Sequence, residues 1–226
     1  MMDVLPIPPF LVDFEPMWAD PETRGYFEAA LTRQAYLQEG GAAGHHHEAL
    51  EWLGDRVLEA VVAAELWRRF PFRDPGLLDA GREILCGRPL MTEIAEEIEL
   101  LRYIRGGIGE VRQGQIEAGK ALSDHVEALI GAAFLADGMR GVEAFVHRWW
   151  APHWFESLED IPVNASSVFN QLYTGIWRTS PTRDGWAFEA RAHGFICTVT
   201  LPDGQSFTGS VESTKKDAKA SACAQA

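Results

Sequence analysis

The feature that most constrains the fold is the stretch HEALEWLGDRVLEAVVAAE, residues 47–65. Its apolar residues recur at spacings of three and four, which predicts a long amphipathic helix with one buried stripe. The stripe comprises Leu50, Leu53, Val57, Val61 and Ala64, with Leu58 and Val62 beside it. The helix should end near Phe70, because FPFRDPG then supplies two prolines that stop it.

Helical spacing also dominates the sequence around this stretch. Further helices are expected at 21–38, 76–86, 89–100, about 119–136 and 139–150, with a glycine-broken loop, RGGIGEVRQGQ, between two of them. Nothing in the first 150 or so residues resembles a strand. This part of the chain is therefore predicted to be all-α.

From Trp186 the period changes from helical to two. WAFEARA, FICTVTL and SFTGSVE alternate apolar and polar residues, and PDGQ is a strong turn signal between the last two. Helical patterns, ASSVFNQLY and STKKDAKASACAQA, lie before and after these strands. The tail is therefore predicted to be a small α+β domain of the order α-β-β-β-α.

Acidic residues occupy the polar side of the first helix. Glu48, Glu51 and Asp55, and with them Glu59, point the same way at spacings of three and four, so they repel one another. A second pair, Asp124 and Glu127, begins a helix whose other side is apolar, where stray acids are costly.

If the two helices pack together, these carboxylates converge on a small volume. Like charges at that range raise each other's pKa values and cost stability unless cations lie between them. Carboxylate oxygens with little nitrogen or sulfur suit Mg²⁺ or Mn²⁺. Two such ions activate a water and stabilise the leaving oxygen in phosphodiester hydrolysis.

A solvated acidic face is the ordinary alternative for an amphipathic helix. Gly54 argues against it, because a glycine inside a helix costs about 1 kcal/mol relative to alanine unless close approach requires it.

The histidines His45–His47 raise a separate question. They could bind a transition metal, but adjacent residues converge poorly, so EGGAAGHHH (39–47) is interpreted as a flexible loop.

Net charge is −13, which by itself argues against a polyanion as partner. The charge is uneven, however: residues 1–163 hold 14 basic and 28 acidic residues, and residues 164–226 hold 6 and 5.

Three well-separated cysteines indicate reduced thiols and an intracellular location, and no apolar run has the length of a membrane span. The N-terminus carries acids where a targeting peptide would have Lys or Arg.

Two blocks of the sequence resemble the ribonuclease III family. HEALEWLGDRVL is similar to its signature N-E-R-L-E-F-L-G-D-S-V-L, and KALSDHVEALIGAAFLADG is similar to its second block, K-x-L-A-D-x-x-E-A-L-I-G-A. LTRQAY resembles a further run upstream, and the whole resemblance covers roughly residues 20–150.

The resemblance implies roles for individual residues. Glu51, Asp55, Asp124 and Glu127 match the family's metal-binding catalytic acids, and Glu48 matches an acid that assists them. Lys120 matches a lysine that supports the scissile phosphate, and Trp52 matches an aromatic residue that inserts into the partner subunit of a dimer.

Four positions depart from the family pattern without removing a metal ligand. His47 stands for the signature's Asn and Arg56 for its Ser. Pro75 replaces an acid, and Arg88 replaces an Asn.

The tail, about 164–226, resembles a double-stranded-RNA-binding domain. TKKDAK is similar to a helix start at which lysines and the helix N-terminus grip phosphates, which assigns Lys215, Lys216 and Lys219 to RNA. Asn170, Gln171 and His193 match minor-groove positions, although the turn RAHGF is shorter than usual. Recognition would be of A-form shape, with modest, salt-sensitive affinity at this weak charge. Surface lysines that merely solvate the helix are the alternative.

Taken together, the sequence predicts a ribonuclease III endonuclease domain at 15–152, a linker at 153–163 and a double-stranded-RNA-binding domain at 164–226. The expected activity is Mg²⁺-dependent cleavage of double-stranded RNA by a homodimer, with Mn²⁺ as a substitute and 5′-phosphate products. An RNA-binding structural protein of the same fold, such as a mitochondrial ribosome component, is the alternative. An enzyme acting on small phosphate esters is a third possibility, but it leaves the tail unexplained.

Overall fold

The computed structural model describes residues 6–40, 44–157, 160–161 and 165–226. The chain divides into two compact units, Met1–Asp160 and Ile161–Ala226. This division lies within the stretch 153–163 that the sequence predicts to be a linker. The domain bounds predicted from the sequence stay predictions.

Among its described residues, the regular elements of the first unit are all helices, as the sequence predicts, and one isolated bridge joins Thr32 to Arg105. Its α-helices are α1 (Glu15–Ala19), α2 (Pro21–Ala30), α3 (Gln34–Gly40), α4 (Glu48–Arg69), α5 (Pro75–Leu85), α6 (Arg88–Glu97), α7 (Ile108–Arg112) and α8 (Gly119–Trp149). Short 3-10 turns lie at Pro9–Phe14, Leu100–Tyr103, Gln115–Glu117 and Ala151–His153.

The single helix predicted at 21–38 is wrong, because the chain leaves the helical path between α2 and α3. There the backbone of Arg33 donates to the carbonyl of Arg105, and Arg105 donates to Leu31, so the two segments form a short bridge. The predicted loop at 105–115 likewise contains α7, whose start is capped by the Glu110 carboxylate accepting from the Gly107 N–H. The Glu39 carboxylate of α3 also accepts from the Ile108 N–H at the start of α7, so both differences involve contacts with distant segments.

Helix α8 is broken where the sequence places a helix end. Asp137 and Gly138 have non-helical backbone angles, and Gly138 has φ of 62°, which glycine adopts without steric cost. The two patterns predicted at 119–136 and about 139–150 are therefore two helical segments that meet at a kink.

Helices α4 and α8 pack backbone against backbone at two glycines. A Cβ at Gly54 would overlap the carbonyl oxygen of Glu127, and one at Gly131 would overlap that of Leu50. Gly54 is therefore required for close approach, which is the exception that the sequence left open.

This contact also rotates the buried face of α4 from the predicted stripe. The fully buried residues of α4 are Leu50, Gly54, Leu58, Val61, Val62 and Leu66. Leu53 and Val57 are only partly buried and Ala64 is exposed, so the predicted stripe is partly wrong. The reason is that the small glycine, which hydrophobicity patterns do not count, lies at the centre of the contact.

The second unit has the predicted α-β-β-β-α order. It contains α9 (Ala165–Trp177), β1 (Trp186–Arg191), β2 (Gly194–Thr200), β3 (Ser206–Thr208) and α10 (Lys215–Gln225). The strands form an antiparallel sheet in the order β1-β2-β3, with Phe188 opposite Cys197 and Val199 opposite Phe207. Its core is formed by Phe169, Tyr173, Cys197, Val199, Ala218, Ala222 and Cys223.

All three cysteines are free thiols, partly buried at Cys86 and fully buried at Cys197 and Cys223. Burial raises the pKa of the Cys86 thiol to about 12, so this group stays protonated at neutral pH. The intracellular location predicted from the cysteines stays a prediction. Across the described residues, no helix combines the length and apolar character needed to cross a membrane.

Candidate active site

The acids of α4 and α8 face one cavity of about 470 Å³ in the first unit. Its lining residues are Arg33, His47, Glu48, Glu51, Trp52, Asp55, Lys120, Asp124 and Glu127. The structure therefore brings together all six residues to which the sequence assigns catalysis. We call this set of six residues, Glu48, Glu51, Asp55, Lys120, Asp124 and Glu127, the acid cluster.

Helix geometry explains this convergence. Glu51 and Asp55 are one turn apart on α4, and Asp124 and Glu127 are nearly one turn apart on α8, so each pair shares a helix face. The backbone contact at Gly54 lies beside Asp55 on one helix and at Glu127 on the other. The close approach of the two helices therefore sets the distance between the two acidic pairs.

Glu59 does not belong to the acid cluster, although it continues the acidic line on α4. Its carboxylate accepts a hydrogen bond of 2.7 Å from Arg82 on α5, and it does not line the cavity. The ion pair with Arg82 therefore explains why an acid is found at position 59.

Burial and mutual repulsion act on the carboxyl groups of the cavity. Burial, followed by the charges of Asp55, Glu51 and Asp124, raises the pKa of Glu127 to about 7. Burial and the Asp124 charge also raise the pKa of Glu51, while Lys120 opposes that change. At neutral pH the cluster therefore favours binding either protons or cations.

Two basic side chains of the protein already pair with cluster acids. The Lys120 ammonium donates to Asp124 over 2.6 Å, and this hydrogen bond raises the pKa of Lys120. Arg56, which replaces the signature's Ser, donates to Asp55 over 2.7 Å. The Arg56 guanidinium is largely exposed and does not line the cavity. A cation bound in the cavity would compete with Arg56 for the Asp55 carboxylate.

The geometry of three side chains fits a shared metal ion. One ligand atom each from His47, Glu51 and Asp124 lie within 4.8 Å of one another. Asp55 and Glu127 line the same cavity with further carboxylate oxygens. This donor set suits a divalent cation, because oxygen ligands and one imidazole are all accepted by such ions.

Sequence reasoning missed the part that His47 takes in the cavity. The prediction that His45–His47 belong to a flexible loop is wrong for His47, which is 4% exposed. Its Nδ1 lies 3.3 Å from the carbonyl oxygen of Thr32, and its ring stacks on His125 with centroids 4.4 Å apart. The signal that could have found it was its place in the signature block, where the family has Asn.

Arg33 is a second cavity residue that has no role in the sequence-based predictions. It pairs with Glu110 over 2.9 Å and lies in the run LTRQAY, upstream of the signature. The resemblance of that run to the family pattern was the only signal.

Trp52 lies at the rim of the cavity with 68% of its surface exposed. An exposed tryptophan beside a cavity is a candidate contact for a partner, although this chain exposes other large apolar side chains as well, such as Phe72 at 91%. The role in a dimer that the resemblance implies for it stays a prediction.

In the second unit, two of the three predicted RNA-binding lysines pack against aromatic rings. Lys215 Nζ lies 5.9 Å from the Phe188 ring and 5.5 Å from the Phe195 ring, and Lys219 Nζ lies 4.3 Å from the Trp186 ring. Lys216 is exposed. These roles in RNA binding stay predictions.

The structure gives fewer contacts for the remaining RNA-binding candidates. Asn170 lies on α9 and His193 in the turn between β1 and β2, and both are exposed. The side chain of Gln171 lies outside the described residues. The surface of α9 near Asn170 also exposes Leu172 and Ile176, which is more apolar than a phosphate-binding surface requires.

Comparisons with known proteins agree with this fold. A family model described as Ribonuclease-III-like matches residues 25–153. Ribonuclease 3 of Nitratidesulfovibrio vulgaris is 36% identical over 192 residues, which cover 83% of this chain and 75% of that protein. Ribonuclease 3 of Oleidesulfovibrio alaskensis is 33% identical, covering 84% of each chain.

A solved structure gives the same result. The nuclease domain of ribonuclease III from Campylobacter jejuni superposes with a TM-score of 0.55 at 26% identity, covering 64% of this chain and 98% of that domain.

An all-helical unit with carboxylates from two helices facing one cavity, matched in this way, defines the class of the protein as a ribonuclease. The chain belongs to the ribonuclease III family. It is an endoribonuclease, and the family and fold predicted from the two sequence blocks are confirmed.

Proposed function

We propose that this endoribonuclease hydrolyses double-stranded RNA as a homodimer, with divalent cations held by the acid cluster, and leaves 5′-phosphate ends. The observation that supports this most strongly is the arrangement of four carboxylates from two helices on one cavity, with the pKa values of Glu51 and Glu127 raised. Such an arrangement is costly unless cations offset the repulsion.

The residues that would hold the cations are Glu51, Asp55, Asp124 and Glu127. Glu48 is more exposed at the cavity edge and would assist them. Bound cations of this kind supply an activated water and stabilisation of the leaving oxygen in phosphodiester hydrolysis. Mg²⁺ is the expected ion on the basis of the carboxylates, with Mn²⁺ as a substitute.

Lys120 supplies the positive charge within the acid cluster. Its ammonium is exposed and anchored by Asp124, which holds it at the mouth of the cavity. A fixed ammonium there attracts and orients a phosphate of the RNA backbone, which the net negative charge of the unit would otherwise repel.

The homodimer rests on Trp52 and on a relative. The Campylobacter jejuni structure is described as showing flexibility in a region involved in dimer formation of its nuclease domain. In this chain the exposed Trp52 lies directly beside the cavity, so a partner that covers it would bring a second cavity close. Two cavities in one dimer would cut the two strands of a duplex.

Double-stranded RNA as substrate is supported by the second unit. Its α-β-β-β-α fold and the lysines at the start of α10 are typical of domains that bind A-form duplexes by shape. Because the unit has nearly balanced charge, we expect modest affinity that falls steeply with salt.

A structural RNA-binding protein of the same fold is the second candidate. The presence of Glu51, Asp55, Asp124 and Glu127 around one cavity argues against it, since a purely structural role does not require them. Co-purification with ribosomal particles and no cleavage would favour it.

The direct experiment incubates the protein with an RNA duplex and with its separate strands, with Mg²⁺ or with EDTA. We expect both strands of the duplex to be cut only with Mg²⁺, and the products to carry 5′-phosphates. Asp55→Asn should lower the cleavage rate by at least about 100-fold with folding unchanged, whereas Glu59→Gln, on the same helix outside the cavity, should retain it. Equal cleavage by Asp55→Asn would contradict the proposal.

A further inference from the structure

One side chain distinguishes this cavity from an all-oxygen cation site. His47 stands where the family signature has Asn, and the proposed catalysis assigns it no role. It is buried at the start of α4 and faces Glu51 and Asp124, while its neighbours in the histidine run do not line the cavity.

The contact with Thr32 favours the tautomer of His47 that carries its proton on Nδ1. Nδ1 lies 3.3 Å from the carbonyl oxygen of Thr32, and a carbonyl only accepts, so Nδ1 is the donor. Nε2 then presents its lone pair on the other side of the ring. Histidines that bind metals commonly have this arrangement, with one nitrogen donating to a backbone carbonyl and the other free for the ion.

The free nitrogen faces the acid cluster at a distance that a hydrogen bond does not explain. Nε2 of His47 lies 3.9 Å from a carboxylate oxygen of Glu51, which is too long for a hydrogen bond. Two ligands of one ion, each about 2.0–2.2 Å from it, are separated by at most about 4.4 Å. The ligand atoms of His47, Glu51 and Asp124 lie within 4.8 Å of one another, so a shift of a few tenths of an ångström brings all three onto one ion.

The ring is also held from behind. His125 is fully buried, donates from its own Nδ1 to the carbonyl of Ala30 over 2.6 Å, and stacks on His47 at an angle of 28°. Because the stacked ring and the Thr32 carbonyl both fix its orientation, His47 is preorganised, which favours a ligand over a residue that merely fills space.

We propose, resting on the cation-dependent function above, that His47 is a nitrogen ligand of the bound cation together with Glu51 and Asp124. This makes the site a mixed nitrogen and oxygen site, which raises its affinity for transition-metal dications such as Mn²⁺ or Co²⁺, while Mg²⁺ still binds through the carboxylates. The reason is that imidazole binds such ions well, whereas Mg²⁺ strongly prefers oxygen ligands.

The test is pulsed electron paramagnetic resonance of Mn²⁺ bound to the full chain, in the absence of RNA. We expect coupling of Mn²⁺ to an imidazole nitrogen, with a changed frequency when the histidines carry ¹⁵N. His47→Asn, which restores the signature residue, should lose this coupling. Its neighbour variant, His45→Asn, should keep it, because His45 is exposed and does not line the cavity.

Competition binding gives a second reading. His47→Asn should weaken Mn²⁺ binding by about 10-fold or more and Mg²⁺ binding by less than about 3-fold. One outcome would overturn the role of His47 and leave the cation-dependent function standing. In it, Mn²⁺ binds to the wild-type protein without nitrogen coupling, and Glu51→Gln abolishes that binding. Mn²⁺ binding insensitive to both Glu51→Gln and Asp124→Asn would overturn both. The wild-type spectrum decides the matter even if His47→Asn fails to fold.

Discussion

Glu127 occupies its position in the cavity with a carboxyl group that resists ionisation. Burial and three neighbouring carboxylates raise its pKa to about 7, from an ordinary value near 4.5. A carboxyl whose pKa is higher in the folded than in the unfolded protein lowers stability as the pH rises between those values. The charge of Glu127 at neutral pH is therefore tolerable mainly when a cation offsets it.

This gives a prediction for stability against pH. Without divalent cations, the melting temperature of the wild-type protein should fall relative to that of Glu127→Gln as the pH rises from about 5 to about 8. Adding Mg²⁺ should raise the melting temperature of the wild-type protein more at about pH 8 than at about pH 5. The difference between the two proteins removes the effect of groups such as His125, whose pKa burial lowers to about 3. Parallel curves for the two proteins, measured by differential scanning fluorimetry, would contradict the prediction.

The placement of the acids around one cavity could be predicted from the sequence, because it depends on spacing along single helices; their catalytic roles stay predictions. Glu51, Asp55, Asp124 and Glu127 all line the cavity, as their positions in the two blocks suggest. The burial of His47 does not follow from hydrophobic spacing, because it depends on the distant Thr32 and His125; only its place in the signature block pointed to the cavity. The spacing along α4 places Glu59 in the acidic line, but its ion pair with Arg82 could not be predicted, because Arg82 lies on another helix.

At the scale of elements, the contact between α4 and α8 positions the site. The sequence marked Gly54 as a residue that needs an explanation, and the backbone contact with Glu127 provides it. The rotation of the buried face, the break between α2 and α3, and helix α7 could not be predicted, since each depends on which segments meet in the folded chain.

Gly54→Ala should therefore destabilise the protein, by about 3 kcal/mol, because the new methyl group forces α4 away from α8. Gly25→Ala is the matched control: it also lies inside a helix, but nothing lies within 4 Å of its Cβ position, so we expect no loss of stability and a gain of up to about 1 kcal/mol. Urea unfolding measures both. Equal stability of the two variants would contradict the close-contact explanation.

At the scale of the whole molecule, the proposed homodimer would connect the site to the proposed duplex substrate. Trp52→Ala should convert the dimer to monomers in sedimentation velocity and reduce double-strand cutting, with little change in the stability of the subunit, because the side chain is exposed. Trp67→Ala provides the control, since Trp67 lies on the same helix, is 50% exposed and does not line the cavity. A Trp52→Ala protein that remains dimeric would contradict the assignment of the interface.

The claim on which the whole account depends is that α4 and α8 bring their acids together around a bound cation. It is tested most directly by crystals of the protein grown with Mn²⁺, in which anomalous scattering locates the ion. We predict a peak in the cavity, in contact with Glu51 and Asp124, that is absent from crystals of Asp124→Asn. A cavity without an anomalous peak at saturating Mn²⁺, or peaks confined to other surfaces, would contradict the account.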